Sequence, residues 1–207
     1  MTDGRMPRRR AEPTAPPSGS FGRISTGAGS RSTARRDALT GEPTDAAMRA
    51  ARRRWASGVA VLTTREGDEN APRFRGITIS SFAVVSLSPP LVLACLERES
   101  ASARAVAASG VFAVSILDRA HEFQADRFAG HGPLPDARFT GIPHDLAATG
   151  SPILRGALAW FDCRVDAIHD GGDHVIVVGE VLAVGLGEDT DDPLLNYEGA
   201  YRRIEGA

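Results

Sequence analysis

After residue 43, the apolar residues of the chain fall into short runs that are rich in β-branched side chains. Runs of this kind, bounded by Gly, Pro, Asn and Asp, predict β-strands. Ser88-Pro89-Pro90 predicts a turn within the first half of the pattern, and Asp170-Gly171-Gly172-Asp173 predicts a hairpin. An acidic turn, 66–70, follows the first strand. The predicted strands are 58–64, 74–85, 91–96, 111–117, 158–168 and 174–184.

Three further segments carry helical signals. Each begins at a residue whose side chain can cap a first turn, and Gly110 suits the C′ position of the second helix. The stretch 130–153 contains many Gly and Pro and predicts a long loop. The predicted helices begin at the caps Thr44, Ser100 and Asp118 and end near Arg54, Ser109 and Ala129.

Hairpins dominate this order of elements, and helices do not alternate regularly with strands. The pattern therefore predicts a mainly β fold, a closed or nearly closed antiparallel barrel with helical additions. No GxGxxG follows a predicted strand, so a Rossmann nucleotide site has no support. Residues 44–207 form the predicted domain. Residues 1–43, rich in Arg, Pro, Ser and Gly, form a predicted disordered tail.

Charge is distributed unevenly along the chain. Residues 1–54 carry twelve arginines and five acidic residues, a formal charge of +7, whereas the rest carries twelve arginines and 21 acidic residues, −9. An acidic domain argues against nucleic acid as its partner, and no apolar run approaches the roughly 20 residues of a membrane helix. The basic tail fits either a solvated segment or an arm that contacts nucleic acid or anionic lipid, and the solvated segment is favoured.

All 24 basic residues are arginines, which excludes function classes that need a lysine. A Walker-type phosphate loop and a pyridoxal Schiff base are both excluded on this ground. Any bound phosphate must be held by backbone amides, hydroxyls and arginine.

Nucleophiles and metal sites also lack support. Cys95 and Cys163 lie within apolar runs, which favours inert core thiols and a reducing compartment, the cytoplasm. The five histidines never stand at i and i+4, so no metal site is predicted. No G-x-S-x-G elbow is present.

Two clusters of hydroxyls bracket the predicted strands around the double proline. Thr78 and Ser80 share one face of a strand and Ser81 lies on the other. This arrangement fits either exposed hydroxyl side chains on an edge strand or contacts with a flat heteroaromatic ligand. Ser100 and Ser102 stand where a helix begins. The unpaired N–H groups of such a helix end fit a phosphate, although an ordinary N-cap explains Ser100 equally well.

The stretch GITISSFAVVSLSPPLVLACLERESASAR, residues 76–104, resembles the signature of the flavin reductase-like family. The resemblance covers about residues 50–204 and continues in SGVFAVSIL, RFAG (127–130), ARFTG (137–141), SPILRGALAWFDCRV, GGDHVIVVGEV and PLLNYEGAYRRI. It implies a mainly β, split, antiparallel, Greek-key-like barrel with peripheral α-helices, usually a homodimer. Departures from the family pattern at Ser88, Ser102 and Ala137 bear on whether FMN or FAD is preferred.

The same resemblance implies a set of site residues. Residues 78–81 would line the isoalloxazine ring, the backbone of 94–96 would pass along it, and Ser100 and Ser102 would hold the flavin phosphate. His174 would face the nicotinamide as the catalytic residue, with a solvent-facing hairpin residue as the alternative. The implied cofactor-binding residues are Thr78, Ile79, Ser80, Ser81, Ala94, Cys95, Leu96, Ser100, Ser102, Phe128, Ala129, Gly130, Arg138, Phe139 and Tyr201.

The implied function is that of an NAD(P)H:flavin oxidoreductase. It would transfer hydride from NADH or NADPH to FMN or FAD and supply a partner monooxygenase with reduced flavin. Two alternatives stay open: a split barrel with tightly bound FMN that acts as an oxidase or a non-enzymatic flavin-binding module, and an interaction module that uses the basic tail.

Overall fold

The computed structural model describes residues 43–67, 72–131, 139–187 and 192–204. All of them lie in the compact unit that begins at Pro43. The predicted tail up to Glu42, the end of the acidic turn, Ala137 and Arg138 lie outside the described residues, so the predictions made for them stay predictions.

The described residues form twelve strands. They are β1 (Ser57–Gly58), β2 (Ala60–Glu66), β3 (Arg73–Ile79), β4 (Ala83–Leu87), β5 (Pro90–Glu97), β6 (Val111–Ile116), β7 (His144–Leu146), β8 (Pro152–Leu154), β9 (Ala159–Gly171), β10 (His174–Leu186), β11 (Leu195–Tyr197) and β12 (Ala200–Arg202). Seven of them make one antiparallel sheet in the order β3-β2-β6-β9-β10-β5-β4. β1, β11 and β12 form a second sheet, and β7 pairs with β8.

The large sheet curves into a split barrel because its two edge strands, β3 and β4, are consecutive in sequence. Only residues 80–82 join them. Ser81 lies in this connection, and its hydroxyl accepts the N–H of Cys95 and donates to the carbonyl of Cys95, both at 3.0 Å. The predicted fold class is confirmed.

Apolar side chains are buried in two clusters. The first fills the barrel and is built around Leu62, Leu96, Phe112 and Val177. The second lies under the segment 119–131 and contains Leu117, Phe128 and Leu194. The hydrophobic effect of burying these side chains is the main contribution to the stability of the barrel.

Helices are short and lie at the periphery. They are α1 (Asp45–Arg53), α2 (Ala101–Ser109) and α3 (Glu122–Asp126), with a 3₁₀ turn, Arg119–His121, before α3 and a π-helical turn, Arg127–His131, after it. The predicted caps Thr44 and Ser100 are confirmed, and so is Gly110 in the left-handed conformation, at φ 68°. No helix within the described ranges is long and apolar enough to cross a membrane.

Three sequence predictions need correction, and some short strands were not predicted. The predicted strand 74–85 is two strands, because Ser81 hydrogen-bonds β5 and the chain bends there. Asp118 caps a 3₁₀ turn rather than the start of a long helix. The predicted loop 130–153 contains β7, and the sequence signals missed β11 and β12, whose three-residue strands are too short for a periodic pattern.

Neither cysteine forms a disulfide. The Cys163 side chain is fully buried in the barrel, and burial raises the pKa of its thiol to about 12. The thiolate is therefore disfavoured, which agrees with the prediction of an inert core thiol.

Gly179 is tightly enclosed in the barrel. A Cβ at this position would lie 2.6 Å from Cε1 of Phe112 and 3.0 Å from Cβ of Cys163. We expect Gly179→Ala to lose about 1–3 kcal/mol of stability through overpacking, which lowers the Tm by about 2–4 °C per kcal/mol. The matched control is Gly58→Ala, because no atom lies within 4 Å of a Cβ there. Equal Tm values for the two variants in thermal unfolding would contradict this packing.

Candidate functional site

A cavity of about 260 Å³ opens between the end of β3, the π-helical turn and the β11–β12 hairpin. Five of the predicted site residues line it, and so do three polar residues that the sequence did not single out. The predicted residues are Thr78, Ile79, Ser80, Ala129 and Tyr201, and the others are Asp126, His131 and Asn196.

α3 and the π-helical turn that follows it are held against β3 by one contact each. The Thr78 hydroxyl donates a hydrogen bond to the carbonyl oxygen of Ala125 at 2.6 Å. The ring of Phe128 lies so close to Gly76 that a Cβ there would be 2.6 Å from the ring. A side chain at Gly76 would therefore push the turn, and with it Ala129, away from the cavity.

Asp126, Tyr201 and His131 form a polar cluster in the cavity wall. The Tyr201 hydroxyl donates to Oδ1 of Asp126 at 3.0 Å, and Nδ1 of His131 lies 3.7 Å from the same oxygen. Burial, together with the hydrogen bond to Asp126, raises the pKa of Tyr201 to about 12. Tyr201 is therefore a neutral donor at physiological pH, and Asp126 is an acceptor that already has a partner.

The predicted ring-lining residues of β5 present two different faces. The side chains of Ala94 and Leu96 point into the barrel core and are almost fully buried. Cys95 lies between them on the opposite face, with its N–H and carbonyl bonded to the Ser81 hydroxyl. These bonds hold the β3–β4 connection against β5 and occupy the Ser81 hydroxyl.

The predicted phosphate residues lie at the N-terminus of α2. The Ser100 hydroxyl accepts the N–H of Ala103 at 3.1 Å, so it caps the helix. Ser102 is only 5% exposed. The helix is nine residues long, and its first N–H groups form an electropositive end that can accept an anion.

Arg98 anchors the β9–β10 hairpin beside the start of α2. Its N–H donates to the carbonyl of Asp173 at 3.0 Å. Its guanidinium donates to the carbonyl of Gly172 at 2.7 and 3.0 Å and to Oδ1 of Asp170 at 2.8 Å. The pKa of Asp170 is lowered by the N–H of Gly172 and by Arg98. No local sequence pattern points to Arg98, because its partners lie more than 70 residues further along the chain.

His174 begins β10 next to this anchor. Its side chain is 42% exposed, and Nδ1 lies 2.7 Å from Oδ1 of Asp173. The hydrogen bond from His174 lowers the pKa of the Asp173 carboxyl. In the β5–β10 ladder His174 is opposite Glu97, three residues before Ser100. His174 therefore lies at the α2 end of the barrel and does not line the cavity.

The remaining predicted residues pack beside the cavity. Phe128 is buried in the second core, and Phe139 packs on it with ring centroids 5.1 Å apart. Gly130 adopts φ 88°, a left-handed conformation that glycine accepts without strain. Arg138 lies outside the described residues.

The arrangement can bind and orient a ligand, and the described residues that line the cavity include no paired nucleophile and base of the kind that hydrolases use. Within the described ranges, no group of three His, Cys, Asp or Glu side chains could hold a metal ion. The polar residues that the sequence reasoning missed lie beside or within its motifs. Asp126 and His131 bracket the RFAG segment, and Asn196 lies within PLLNYEGAYRRI.

Comparisons with known proteins agree with this architecture. The family model described as "Flavin reductase like domain" matches residues 52–205. The chain is 40% identical over 152 residues to the flavin-dependent monooxygenase reductase subunit HsaB of Rhodococcus jostii. This alignment covers 73% of each of the two chains. It is 36% identical over 158 residues to the reductase component of 4-hydroxyphenylacetate 3-monooxygenase of Thermus thermophilus, covering 76% of this chain and 95% of that one.

A solved structure is similar over the same region. The NADH:FAD oxidoreductase SgcE6 of Streptomyces globisporus, in complex with NAD and FAD fragments, superimposes with a TM-score of 0.70 at 32% identity. The alignment covers 80% of this chain and 98% of that chain.

The polar cluster makes Tyr201 distinguishable by titration. The chain has two tyrosines, and we expect the tyrosinate absorbance to show an ionisation at about pH 12 that the Tyr201→Phe variant lacks. The Asp126→Asn variant should lower the pKa of Tyr201, because the Asp126 carboxylate raises that pKa. Burial should still keep the pKa of Tyr201 above the ordinary value of a tyrosine. A Tyr201→Phe variant that retains this step would contradict the assignment.

Proposed function

The chain belongs to the flavin reductase-like domain family, and we propose that the cavity beside β3 and the N-terminus of α2 form its flavin site. The chain is an NAD(P)H-dependent flavin reductase. The observation that carries the site proposal is that Thr78, Ser80, Ala129 and Tyr201, far apart in sequence, line one cavity. The oxidase and the non-enzymatic module are not favoured, because the relatives are named as reductases.

Hydride transfer places few demands on the protein. The flavin and the nicotinamide supply the redox chemistry when they are bound, and the protein binds them, orients them and excludes water. A site without a nucleophile or a free general base is therefore sufficient.

The two parts of the proposed site differ in chemistry. Around Thr78 and Ser80, hydroxyls and apolar surface suit the ring. At the α2 N-terminus, the unpaired N–H groups, with Ser100 and Ser102, suit the flavin phosphate. Ser100 can serve both as cap and as part of the phosphate site, because both roles use the same N–H groups. Arg138 is the proposed ion-pair partner of the phosphate.

The reduced flavin is proposed to pass to a separate monooxygenase. Both relatives described above are named as reductase parts of monooxygenases. A cytoplasmic location is also part of the proposal, and it is supported by two cysteines that form no disulfide.

The function is tested by steady-state oxidation of NADH and NADPH in the presence of FMN, FAD or riboflavin. We expect turnover with at least one flavin.

The His174→Ala variant should lower kcat/KM for the nicotinamide about two- to tenfold, the effect of one lost hydrogen bond. His169→Ala is the control, since His169 is exposed on the same hairpin but pairs with Ile176 rather than lying beside Glu97 and the start of α2. Failure of the wild-type protein to oxidise either nicotinamide with any flavin would refute the function.

A homodimer is also part of the proposal. Leu87 and Leu186 are each 87% exposed, and the ladder from β10 through β5 to β4 places both strand ends at the same end of the sheet. An exposed apolar patch of this kind marks an interaction surface. The exposed apolar residues of the patch are Val84, Leu87, Leu182, Val184 and Leu186.

Sedimentation velocity tests the dimer. We expect the wild-type protein to sediment as a dimer, and Leu87→Asp and Leu186→Asp each to shift it toward the monomer, because a charge in an apolar interface is desolvated without a partner. Ile168→Asp is the control, since Ile168 is exposed near the other end of β9. A wild-type monomer would exclude the dimer.

A further inference from the structure

The turn between β11 and β12 has a strained backbone. Tyr197 pairs with Ala200, so the turn consists of Glu198 and Gly199 alone. Their φ values are 56° and 76°, and positive φ at both central residues is the pattern of a type I′ turn, which favours Asn-Gly or Gly-Gly. Among the described residues, Glu198 is the only non-glycine residue with a positive φ. A glutamate in this conformation needs support from its surroundings.

The end of α1 supplies that support to the backbone of Glu198. The N–H of Glu198 donates to the carbonyl oxygen of Arg53 at 2.9 Å, and Nη2 of Arg53 donates to the carbonyl oxygen of Glu198 at 2.7 Å. A Cβ on Gly199 would lie 2.9 Å from the same Nη2, so the guanidinium lies directly against the turn. Arg53 thus binds both backbone polar groups of the strained residue.

The side chain of Glu198 contacts the residue that follows α1. Its Oε1 lies 3.0 Å from Nη1 of Arg54, whose side chain is 74% exposed. A hydrogen bond with Tyr197, and then the charge of Glu198, raises the pKa of Arg54. An ion pair this exposed contributes little stability by itself. The support for Glu198 therefore comes mainly from Arg53.

The same contacts account for the position of α1. None of its nine residues is buried, so it is not held by an apolar face. A helix this short is marginal in water without tertiary contacts, and the carbonyl oxygen of Arg53 is one of the C-terminal acceptors that have no partner inside the helix. The N–H of Glu198 fills that place. The helix and the turn therefore stabilise each other.

The supported hairpin forms one wall of the cavity beside β3. Asn196, Gly199, Ala200 and Tyr201 line the cavity, and the Tyr201 hydroxyl donates to Asp126 at the end of α3. β11 and β12 have three residues each, and β1 pairs with β11 at only two positions. Asn196 and Tyr201 each lie within two residues of the turn. A change in the conformation of the turn therefore moves the polar groups of this wall.

We propose that Arg53 is a positioning residue of the flavin site. It holds Glu198 in the left-handed conformation and thereby fixes Asn196 and Tyr201 against the flavin ring. Arg53 is not one of the described residues that line the cavity, so it acts through the hairpin. The proposal rests on the proposed function, because it takes this cavity as the ring-binding part of the site.

The test compares Arg53→Gln with wild-type protein by steady-state kinetics with riboflavin and with FMN. Riboflavin has no phosphate, so its KM reports on the ring-binding part alone. We expect Arg53→Gln to raise the KM for both flavins by the same factor, about two- to tenfold, the effect of one lost hydrogen bond. The kcat should stay nearly unchanged, because Arg53 contacts no reacting atom. Arg52→Gln is the control, since it removes the same charge from an exposed position of α1.

Two results of these kinetics would overturn the proposal. Equal KM values for Arg53→Gln and Arg52→Gln would show that the contact with Glu198 has no part in flavin binding. A higher KM for FMN with an unchanged KM for riboflavin would place the role of Arg53 at the phosphate instead of the ring.

The Glu198→Asn variant separates positioning from a general loss of stability. It creates the Asn-Gly pair that type I′ turns favour, so the turn depends less on Arg53. In this background we expect Arg53→Gln to raise the flavin KM less than about twofold, because the two changes act through one contact and are not additive. An undiminished effect of Arg53→Gln in this background would contradict the proposal, since strain at Glu198 would then not be what Arg53 offsets.

Titration of Tyr201 separates this proposal from the proposed function. Arg53→Gln should lower the pKa of Tyr201 from about 12 toward the ordinary value of a tyrosine, because the burial and the hydrogen bond to Asp126 that raise it are weakened. Arg52→Gln should leave the pKa of Tyr201 at about 12. Tyrosinate absorbance needs no flavin, so this result stands even if the protein reduces none. An unchanged pKa of Tyr201 in Arg53→Gln would refute the positioning role.

Discussion

The hydrogen bonds between the Ser81 hydroxyl and the backbone of Cys95 are the contact on which the arrangement of the proposed site depends. They bond the connection between β3 and β4, which are the two edge strands of the seven-stranded sheet, to β5, the strand next to β4. Without this contact the chain could continue straight from β3 into β4, as the sequence pattern suggested. With it, the end of β3 is fixed beside β5, and β5 leads directly to α2. The ring-binding and phosphate-binding parts of the proposed site thus take their spacing from the closed sheet.

A second constraint fixes the other side of the site. Arg98 connects three acceptors of the β9–β10 hairpin to the segment between β5 and α2. A lysine could not replace it, because the contacts to Gly172 and Asp170 use the forked geometry of a guanidinium group. The closed sheet and this hairpin anchor together determine where His174 lies relative to Ser100.

Much of the fold was predictable from local signals, and the site was predictable only in part. The caps Thr44 and Ser100, the turn at Gly110 and the Asp170–Asp173 hairpin follow from chemistry within a few residues, so the sequence alone reveals them. Asp126 and Asn196 line the cavity because elements distant in sequence meet there, and no spacing encodes that meeting. The break at Ser81 was missed for the same reason, since its partner is on another strand. The family motifs compensate partly, because they identify residues whose partners lie far away.

The charges around the proposed site explain how one barrel can receive a ligand with a neutral end and an anionic end. At the cavity, the carboxylate of Asp126 accepts a hydrogen bond from Tyr201 and lies near His131, so the strongest acceptor there is already engaged. A phosphate next to that carboxylate would be repelled. At the start of α2, the unpaired N–H groups attract anions. The uncharged part of a flavin is therefore favoured toward Asp126 and its phosphate toward α2.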